Sequence, residues 1–160
     1  MLSKKLRAMP PRITEIVFPY KQSYNLVMKA VRQEDGLGCA VACVAFVLNI
    51  PYLEAISLFA DGKRRVKEEA NFYCPEIAQI LNSAGLKYDW KKLSEKPEKI
   101  IYNNYSIVFI ERSPKYPYGH FLCRYEDTWM DPYINLPDKV IAAGFRKELP
   151  GKPTYSIYKT

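Results

Sequence analysis

The stretch GCAVACVAFVLNI, residues 38–50, decides the fold because it is apolar on every side of the helix that it predicts. A helix without a polar face is buried all round, whereas a surface helix keeps a polar stripe. Pro51 follows directly and ends the helix, since proline is poorly tolerated in a helix interior. The sequence therefore predicts a buried helix in the core of the protein.

The loop before this helix, QEDGLG at residues 33–38, makes Cys39 a candidate nucleophile. The reactive form of cysteine is the thiolate, which a helix N-terminus favours. Cys43 lies one turn further along, with no loop to expose it, and is predicted to be core. Cysteine is also among the most often buried residues, so Cys39 taken alone would more often have a structural role. Its partners elsewhere in the chain decide between the two interpretations.

Gln33 stands six residues before Cys39. A loop of that length can turn back so that the carboxamide N–H points beside the sulfur. Together with the Cys39 backbone N–H, this group would stabilise the oxyanion that develops in acyl transfer. Without the cysteine, Gln33 would be interpreted as an exposed loop residue. Gly36 and Gly38 supply the turn chemistry of the loop, and Gly38 is predicted to let a substrate backbone approach.

Two further helices complete a mainly helical first half. PYLEAISLFADG, residues 51–62, has a proline suited to a first turn and a glycine suited to a helix end. CPEIAQILNSAGL, residues 74–86, has apolar residues at helical spacing and Gly85 as its stop. The run GKRRVKEE, residues 62–69, mixes charges of both signs and predicts a solvated face.

The second half of the chain predicts strands. YSIVFIERS is β-branched and aromatic, and GHFLCRY and TWMDPYI flank a turn at Glu126 and Asp127 as a hairpin would. TYSIYKT alternates and predicts a last strand. The predicted strands cover residues 105–113, 119–125, 128–134 and 154–160. Helices followed by antiparallel strands predict the α+β class.

His120, the single histidine of the chain, opens a predicted strand directly after the loop PKYPYG. It is the one imidazole that could serve Cys39 as a base. A histidine base needs an acceptor on its other ring nitrogen, and Asp131 follows eleven residues later. Asp127 is the rival acceptor, but its place favours a turn former.

The register of the predicted hairpin decides whether these groups meet. A turn around residues 125 and 126 places Asp131 opposite His120 on one face of the sheet. A turn at residues 126 and 127 pairs Asp131 with Leu122 and leaves His120 diagonal, still within reach of side chains. Both registers stay open at the level of the sequence.

The order Gln33, Cys39, His120 and Asp131 resembles the papain-like cysteine peptidases. It is most similar to the peptidase domains that cut double-glycine leaders from exported bacteriocins, and to their free-standing relatives. The six-residue step from glutamine to cysteine and the strand–GH–strand–DP ending carry the resemblance, which covers about residues 25–140. One departure is Ala40, where the family usually has glycine after the nucleophile, and this methyl group could narrow the approach to the thiol.

The resemblance also implies an architecture. It is a papain-like cysteine proteinase fold, in which an N-terminal helical lobe with a central buried helix packs on a C-terminal antiparallel β-sheet lobe. We expect one domain over residues 1–160, with the helical lobe and its nucleophile in about residues 1–104. The β lobe, carrying the histidine and the aspartate, would occupy about residues 105–160.

The function implied is that of a thiol hydrolase that cleaves a peptide or isopeptide bond through an acyl-enzyme. Cys39 attacks, His120 shuttles the proton, Asp131 orients the imidazole, and Gln33 stabilises the oxyanion. A peptide or protein is the expected substrate. The same set also serves an acyl or amide transferase or a glutamine deamidase, because the cleft selects the acceptor. A third alternative keeps the papain-like fold as an inactive binding module. The loop SPKYPY is expected to line the cleft, with Tyr116, Tyr118 and Trp129 as apolar walls or hairpin packing.

Composition sets limits on partners. The formal charge of +7 favours acidic partners, but the basic residues are scattered, so nucleic-acid binding is a minor alternative. The four cysteines include no CxxC pair and only one histidine accompanies them, so we expect no metal, no cofactor and no disulfide framework.

The N-terminal segment MLSKKLRAMPPR, residues 1–12, carries the charge of a signal peptide but no apolar segment follows it. The longest apolar run, residues 39–50, is too short to span a bilayer. We therefore expect a cytoplasmic protein, although export without a cleaved signal would leave no mark in the sequence.

Overall fold

The part of the chain that the computed structural model describes comprises residues 27–96 and 98–160. The basic lead-in at residues 1–12 lies outside it. Within the described part, helices and an antiparallel sheet give an α+β protein, as the sequence predicts. No helix there is long and apolar enough to cross a membrane.

Helix α1 spans Cys39–Leu48 and is the predicted buried helix. All seven residues from Ala40 to Phe46 are inaccessible to solvent. The helix ends at Asn49, whose left-handed backbone (φ 52°) turns its N–H back to the last turn. Asparagine is one of the few residues that adopt this conformation readily, so α1 closes before Pro51 is reached.

The segment predicted as one helix over residues 51–62 forms two shorter helices, which corrects the prediction. Helix α2 spans Tyr52–Ile56 and helix α3 spans Gly62–Glu68. Between them Asp61 takes a left-handed backbone conformation (φ 56°), which breaks the helical path. The glycine expected at a helix end therefore begins the next helix.

Helix α3 has one exposed face, as its mixed charges predict, and one buried face. Arg65 is buried, pairs with Glu76 at 2.7 Å and lies 4.5 Å above the centre of the Phe72 ring. These contacts join α3 to helix α4, which spans Cys74–Ser83. As predicted, the chain leaves α4 through Gly85, at a positive φ of 90°.

Among the described residues, six antiparallel strands form a sheet in the order β1–β6–β2–β3–β4–β5. They are β1 Tyr88–Lys92, β2 Ile107–Ile110, β3 His120–Tyr125, β4 Thr128–Asp131, β5 Gly144–Arg146 and β6 Pro153–Lys159. A short 3₁₀ helix, Lys99–Tyr102, precedes β2. The sequence predicts β2, β3, β4 and β6. The edge strands β1 and β5 are additional, and β1 lies in the half predicted to be mainly helical.

Strands β3 and β4 form the predicted hairpin in the second of the two registers considered. Residues 126 and 127 form the turn, and the pairing on either side follows from it. Continued along the strands, this register sets Asp131 opposite Leu122 and leaves His120 diagonal. Diagonal neighbours are within reach of long side chains, so the register permits the predicted contact.

The two faces of the sheet are covered differently. Helix α1 packs against β3, and α4 against β1 and β6, which builds the larger core. On the other face Val108, Leu122 and Trp129 pack with Tyr116 in a smaller cluster. Strands β3 and β4 thus contribute to both clusters. Side chains at their ends are therefore held by packing on two sides.

Candidate active site

A cavity of about 370 Å³ lies where the start of α1 meets the start of β3. Gln33, Cys39 and His120 contribute to its wall. Residues 114–119 line it as well, as expected for the loop before β3. The structure thus brings together, in one cavity, three residues that are up to 87 positions apart in the sequence.

His120 and Asp131 form a short polar contact next to this cavity. The His120 Nε2 atom lies 2.7 Å from Asp131 Oδ1, and both side chains are buried. Asp131 ends β4 and is fully inaccessible, behind the imidazole as seen from the cavity. Because Nε2 is engaged by the carboxylate, Nδ1 is the ring nitrogen left for Cys39.

Asp131 accepts hydrogen bonds from two further donors. Oδ1 also accepts the backbone N–H of Tyr133 at 3.0 Å, and Oδ2 accepts Arg146 Nη1 at 3.1 Å. Burial raises the pKa of Asp131, but its contacts, with His120 the largest contribution, outweigh that effect and hold the pKa below its usual value. Asp131 is therefore a carboxylate at neutral pH, as the orienting role requires.

The imidazole of His120 is biased toward its charged form. Burial lowers the pKa of His120, but the hydrogen bond that the ring donates to Asp131 and its interaction with the Cys39 side chain raise it to about 9. The negative charges that Cys39 and Asp131 can carry act in the same direction. The site is therefore suited to an imidazolium beside a thiolate, the charge pair that activates cysteine nucleophiles.

The four cysteines differ sharply in their surroundings. All are free thiols, and Cys39 alone is partly exposed. Burial is the main cause that raises the pKa of Cys43 and Cys123, and it raises that of Cys74 to about 11. Those three thiols stay protonated at neutral pH. The predicted distinction between Cys39 as a candidate nucleophile and Cys43 as a core residue thus corresponds to a difference in their exposure.

Gln33 is held more tightly than a free oxyanion donor would be. Its Nε2 donates to the carbonyls of Asp35 and Gly36, each at 3.0 Å, and so engages both amide hydrogens. Its backbone N–H donates to Pro132 O at 3.2 Å, next to Asp131. In this conformation Gln33 fixes the loop before Cys39 and ties it to the end of β4.

The backbone N–H of Cys39 remains available as an oxyanion donor. Cys39 is the first residue of α1, and the first N–H groups of a helix have no partner within it. No side chain caps this end of α1. An anion that forms beside the sulfur would therefore meet an open backbone donor and the positive end of the helix dipole.

The small residues around Cys39 have other roles than the sequence predicts. A Cβ on Gly38 would lie 1.9 Å from the Tyr52 hydroxyl, so Gly38 makes room for Tyr52 rather than for a substrate. Gly36, by contrast, lines the cavity and has open space beside it. Ala40 is fully buried and is not part of the cavity wall, so its methyl group does not narrow the approach to the thiol.

The walls of the cavity match the predictions in part. Tyr116 and Tyr118 line it as expected, whereas Trp129 is buried in the smaller core cluster. Asp127 stays in the turn and pairs with Lys147 at 2.9 Å, so it does not compete for the imidazole. Gly119, directly before His120, has a φ of 72°, and a Cβ there would lie 2.1 Å from Phe109.

Two contacts of the His120–Asp131 pair are not predicted by the sequence. The Tyr116 ring stacks on His120 with 5.0 Å between the ring centres and 16° between the planes. Arg146 reaches Asp131 from β5, an element that the sequence does not predict. The loop position of Tyr116 is a usable signal for the cleft, but nothing local marks Arg146.

A second cavity of about 480 Å³ adjoins the first and shares Phe72, Phe109 and Tyr118 with it. Its lining is mainly aromatic, with Arg112 at one side. In residues 27–96 and 98–160, no three His, Cys, Asp or Glu side chains are placed to hold a metal ion.

No protein-family model matches the sequence, and no curated protein shows significant similarity to it. The case for a function therefore depends on the arrangement of Cys39, His120 and Asp131. Each of the three comes from a different element, α1, β3 or β4. Cys39 and His120 line one cavity and Asp131 contacts His120, so their arrangement is a property of the fold rather than of a local motif.

Proposed function

We propose that the protein is a papain-like thiol hydrolase, a cysteine peptidase that cleaves a peptide or isopeptide bond through an acyl-enzyme. The observation that carries the proposal is the commitment of His120 Nε2 to Asp131 Oδ1 at 2.7 Å. It fixes the imidazole so that Nδ1 is the nitrogen available to the partly exposed Cys39 at the start of a buried helix. A helix carrying the cysteine on a sheet carrying His and Asp also supports a papain-like fold.

The reaction would begin with attack of the Cys39 thiolate on the substrate carbonyl carbon, which forms a C–S bond and an oxyanion. The Cys39 backbone N–H is the donor best placed for that oxyanion. As the intermediate collapses, the Nδ1 proton of His120 passes to the leaving amine while the C–N bond breaks. The acyl group stays on sulfur.

Water would then resolve the acyl-enzyme. His120 Nδ1 takes a proton from water as its oxygen attacks the thioester carbon, and the thiolate leaves with the electrons of the C–S bond. Asp131 stays ionised throughout and positions the ring. Gln33, predicted as an oxyanion donor, would take that role only after exchanging one of its two loop hydrogen bonds for the oxyanion.

The adjoining cavities favour an extended substrate. Together they continue from Cys39 past Phe109 to Trp90 and Tyr155. A path of this kind suits a chain with several side chains better than a small ester, because binding energy away from the reacting bond can then position it. We therefore propose a peptide or an extended protein segment as the substrate class.

The test is incubation of the wild type and Cys39→Ala with a diverse peptide library, followed by mass spectrometry. Fragments that appear with the wild type and not with Cys39→Ala support a peptidase. A mass increase of about 1 Da at glutamine identifies a deamidase, and an adduct with an added amine identifies a transferase. Absence of any product, together with unreactive Cys39 toward iodoacetamide, would leave the fold as a binding module and refute the proposal.

A further inference from the structure

Arg146 binds the carboxylate oxygen of Asp131 that does not contact His120. Its Nη1 atom donates to Asp131 Oδ2 at 3.1 Å, while Oδ1 lies 2.7 Å from the imidazole. The guanidinium is itself fixed, because Nε donates to the carbonyl of Glu148 at 3.0 Å. The carboxylate therefore lies between two cationic groups, one on each oxygen.

Tyr116 holds the imidazole from another direction. It is 2% exposed and its ring is nearly parallel to that of His120. Its hydroxyl makes no hydrogen bond of good geometry within the described part of the chain. Burial and the negative charge of Asp131 raise the pKa of Tyr116, and Arg146 opposes that rise, which places the hydroxyl in the electrostatic field of the same pair.

We propose, as an extension of the proposed function, that Arg146 and Tyr116 are positioning residues that keep His120 Nδ1 directed at Cys39. Arg146 prevents the carboxylate from rotating away from Nε2. Tyr116 prevents the imidazole from tilting away from the orientation that its contact with Asp131 requires. Neither residue contacts the reacting atoms, and both act through the His120–Asp131 pair.

The physical need for such support follows from the geometry of one hydrogen bond. A single Nε2–Oδ1 contact fixes the distance between two groups but leaves rotation about the carboxylate and the ring bonds. Charge-assisted contacts on the second oxygen restrict the carboxylate. An aromatic face against the ring restricts the imidazole. The two restraints are therefore complementary.

The experiment uses Arg146→Gln and Arg146→Lys, with Lys147→Gln as the matched control. Lys147 is adjacent, carries the same charge and is 77% exposed in its pair with Asp127. The readouts are the rate at which iodoacetamide alkylates Cys39 and the ¹⁵N spectrum of the imidazole. Because His120 is the single histidine of the chain, its two ring nitrogens can be assigned without ambiguity.

We expect Arg146→Gln to slow alkylation of Cys39 by about tenfold, within the hundredfold range caused by misplaced reacting groups. Above pH 10 the wild type should show one dominant tautomer, protonated at Nε2, whereas Arg146→Gln should show two averaged nitrogens. Arg146→Lys should recover at least half of the lost rate, on a logarithmic scale. Lys147→Gln should match the wild type.

Melting curves show whether Arg146→Gln keeps its fold. If it does not, two variants of Tyr116 test the proposal independently. Tyr116→Phe keeps the stacked ring and removes only the hydroxyl, so it should lose less labelling rate than Tyr116→Leu. Tyr116→Leu removes the ring and should slow labelling several-fold while retaining a cooperative melt.

The proposal is overturned if Arg146→Gln and Tyr116→Leu both label at the wild-type rate with the wild-type ¹⁵N pattern. It is also overturned if Lys147→Gln loses as much rate as Arg146→Gln, because the loss of any nearby positive charge would then explain the slower labelling. These results differ from failure of the proposed function, in which wild-type Cys39 would label no faster than an ordinary exposed thiol.

Discussion

Cys39 and Cys43 lie one turn apart in the same helix, yet their environments are opposite. Cys39 begins α1 at the wall of a cavity, beside His120. Cys43 is fully inaccessible, and burial raises its pKa well above the ordinary value. Residue type is the same in both cases. The difference teaches that exposure and an imidazole partner decide whether a thiol can act as a nucleophile.

The strongest test of this comparison replaces each cysteine by alanine. Cys39→Ala should abolish both peptide hydrolysis and iodoacetamide labelling at neutral pH, while the protein keeps a cooperative melt. Mass spectrometry of the labelled protein and a melting curve measure the two quantities. Labelling of Cys39→Ala at the wild-type rate would assign the reactive thiol elsewhere.

His120→Ala should have the next largest effect, because it removes the proposed base but leaves the proposed nucleophile. Loss of a positioned acid–base group lowers rates by about 10²–10⁴-fold. Initial rates of peptide hydrolysis over a range of substrate concentrations measure the change. Cys43→Ala serves as the control, and equal losses in the two variants would indicate damage to α1 rather than to the His120–Asp131 pair.

Asp131→Asn should be milder than His120→Ala. The amide keeps an oxygen that can accept from the imidazole, but it loses the charge that faces Arg146. We expect a loss of about ten- to a hundredfold, typical of a misplaced reacting group. A loss as complete as that of His120→Ala would contradict the orienting role given to Asp131.

Stability should fall in alkaline solution because of His120. Its pKa in the folded protein is about 9, above the unfolded value of about 6.5, so its charged form stabilises the fold. That contribution is complete below about pH 6.5 and is lost as pH rises through about 9. The expected loss is on the order of 3 kcal/mol. Urea unfolding of the wild type and His120→Gln over a range of pH measures this loss. The expectation is refuted if the free energy of unfolding changes with pH equally in the two proteins.

The smallest effect is expected in Cys43→Ala. Removing one buried sulfur leaves a small void, so unfolding should become easier by about 1–2 kcal/mol, within the usual range for core truncations. Alkylation of Cys39 and hydrolysis should stay within about twofold of the wild type. A strong loss of labelling would show that Cys43 influences the nucleophile directly.

The elements around the site could be predicted from the sequence because their signals are local. The apolar run of α1, the spacing in α4 and the alternation in β6 each identify an element without reference to the rest of the chain. Strand β5 could not be found in this way, since its three residues exist as a strand only by pairing with β4. The break at Asp61 was missed because a left-handed aspartate has no local signature.

The same contrast between local signals and tertiary contacts applies to the candidate site. Cys39 and His120 could be selected from their places at element ends, and Asp131 from its spacing to the histidine. The sequence leaves two hairpin registers open, because a shift of one residue changes every pairing. Arg146 depends on β5, and the hydrogen bonds of Gln33 depend on the exact path of the loop. Such contacts arise only after tertiary packing.

The central claim is that Cys39 and His120 are coupled, and an NMR titration of the single histidine tests it most directly. The Cys39 side chain contributes to the raised pKa of His120, whereas Cys43 is not among its causes. The wild type should titrate near pH 9. Cys39→Ala should titrate clearly lower, and Cys43→Ala should match the wild type. A His120 pKa that is the same in all three proteins would contradict the account.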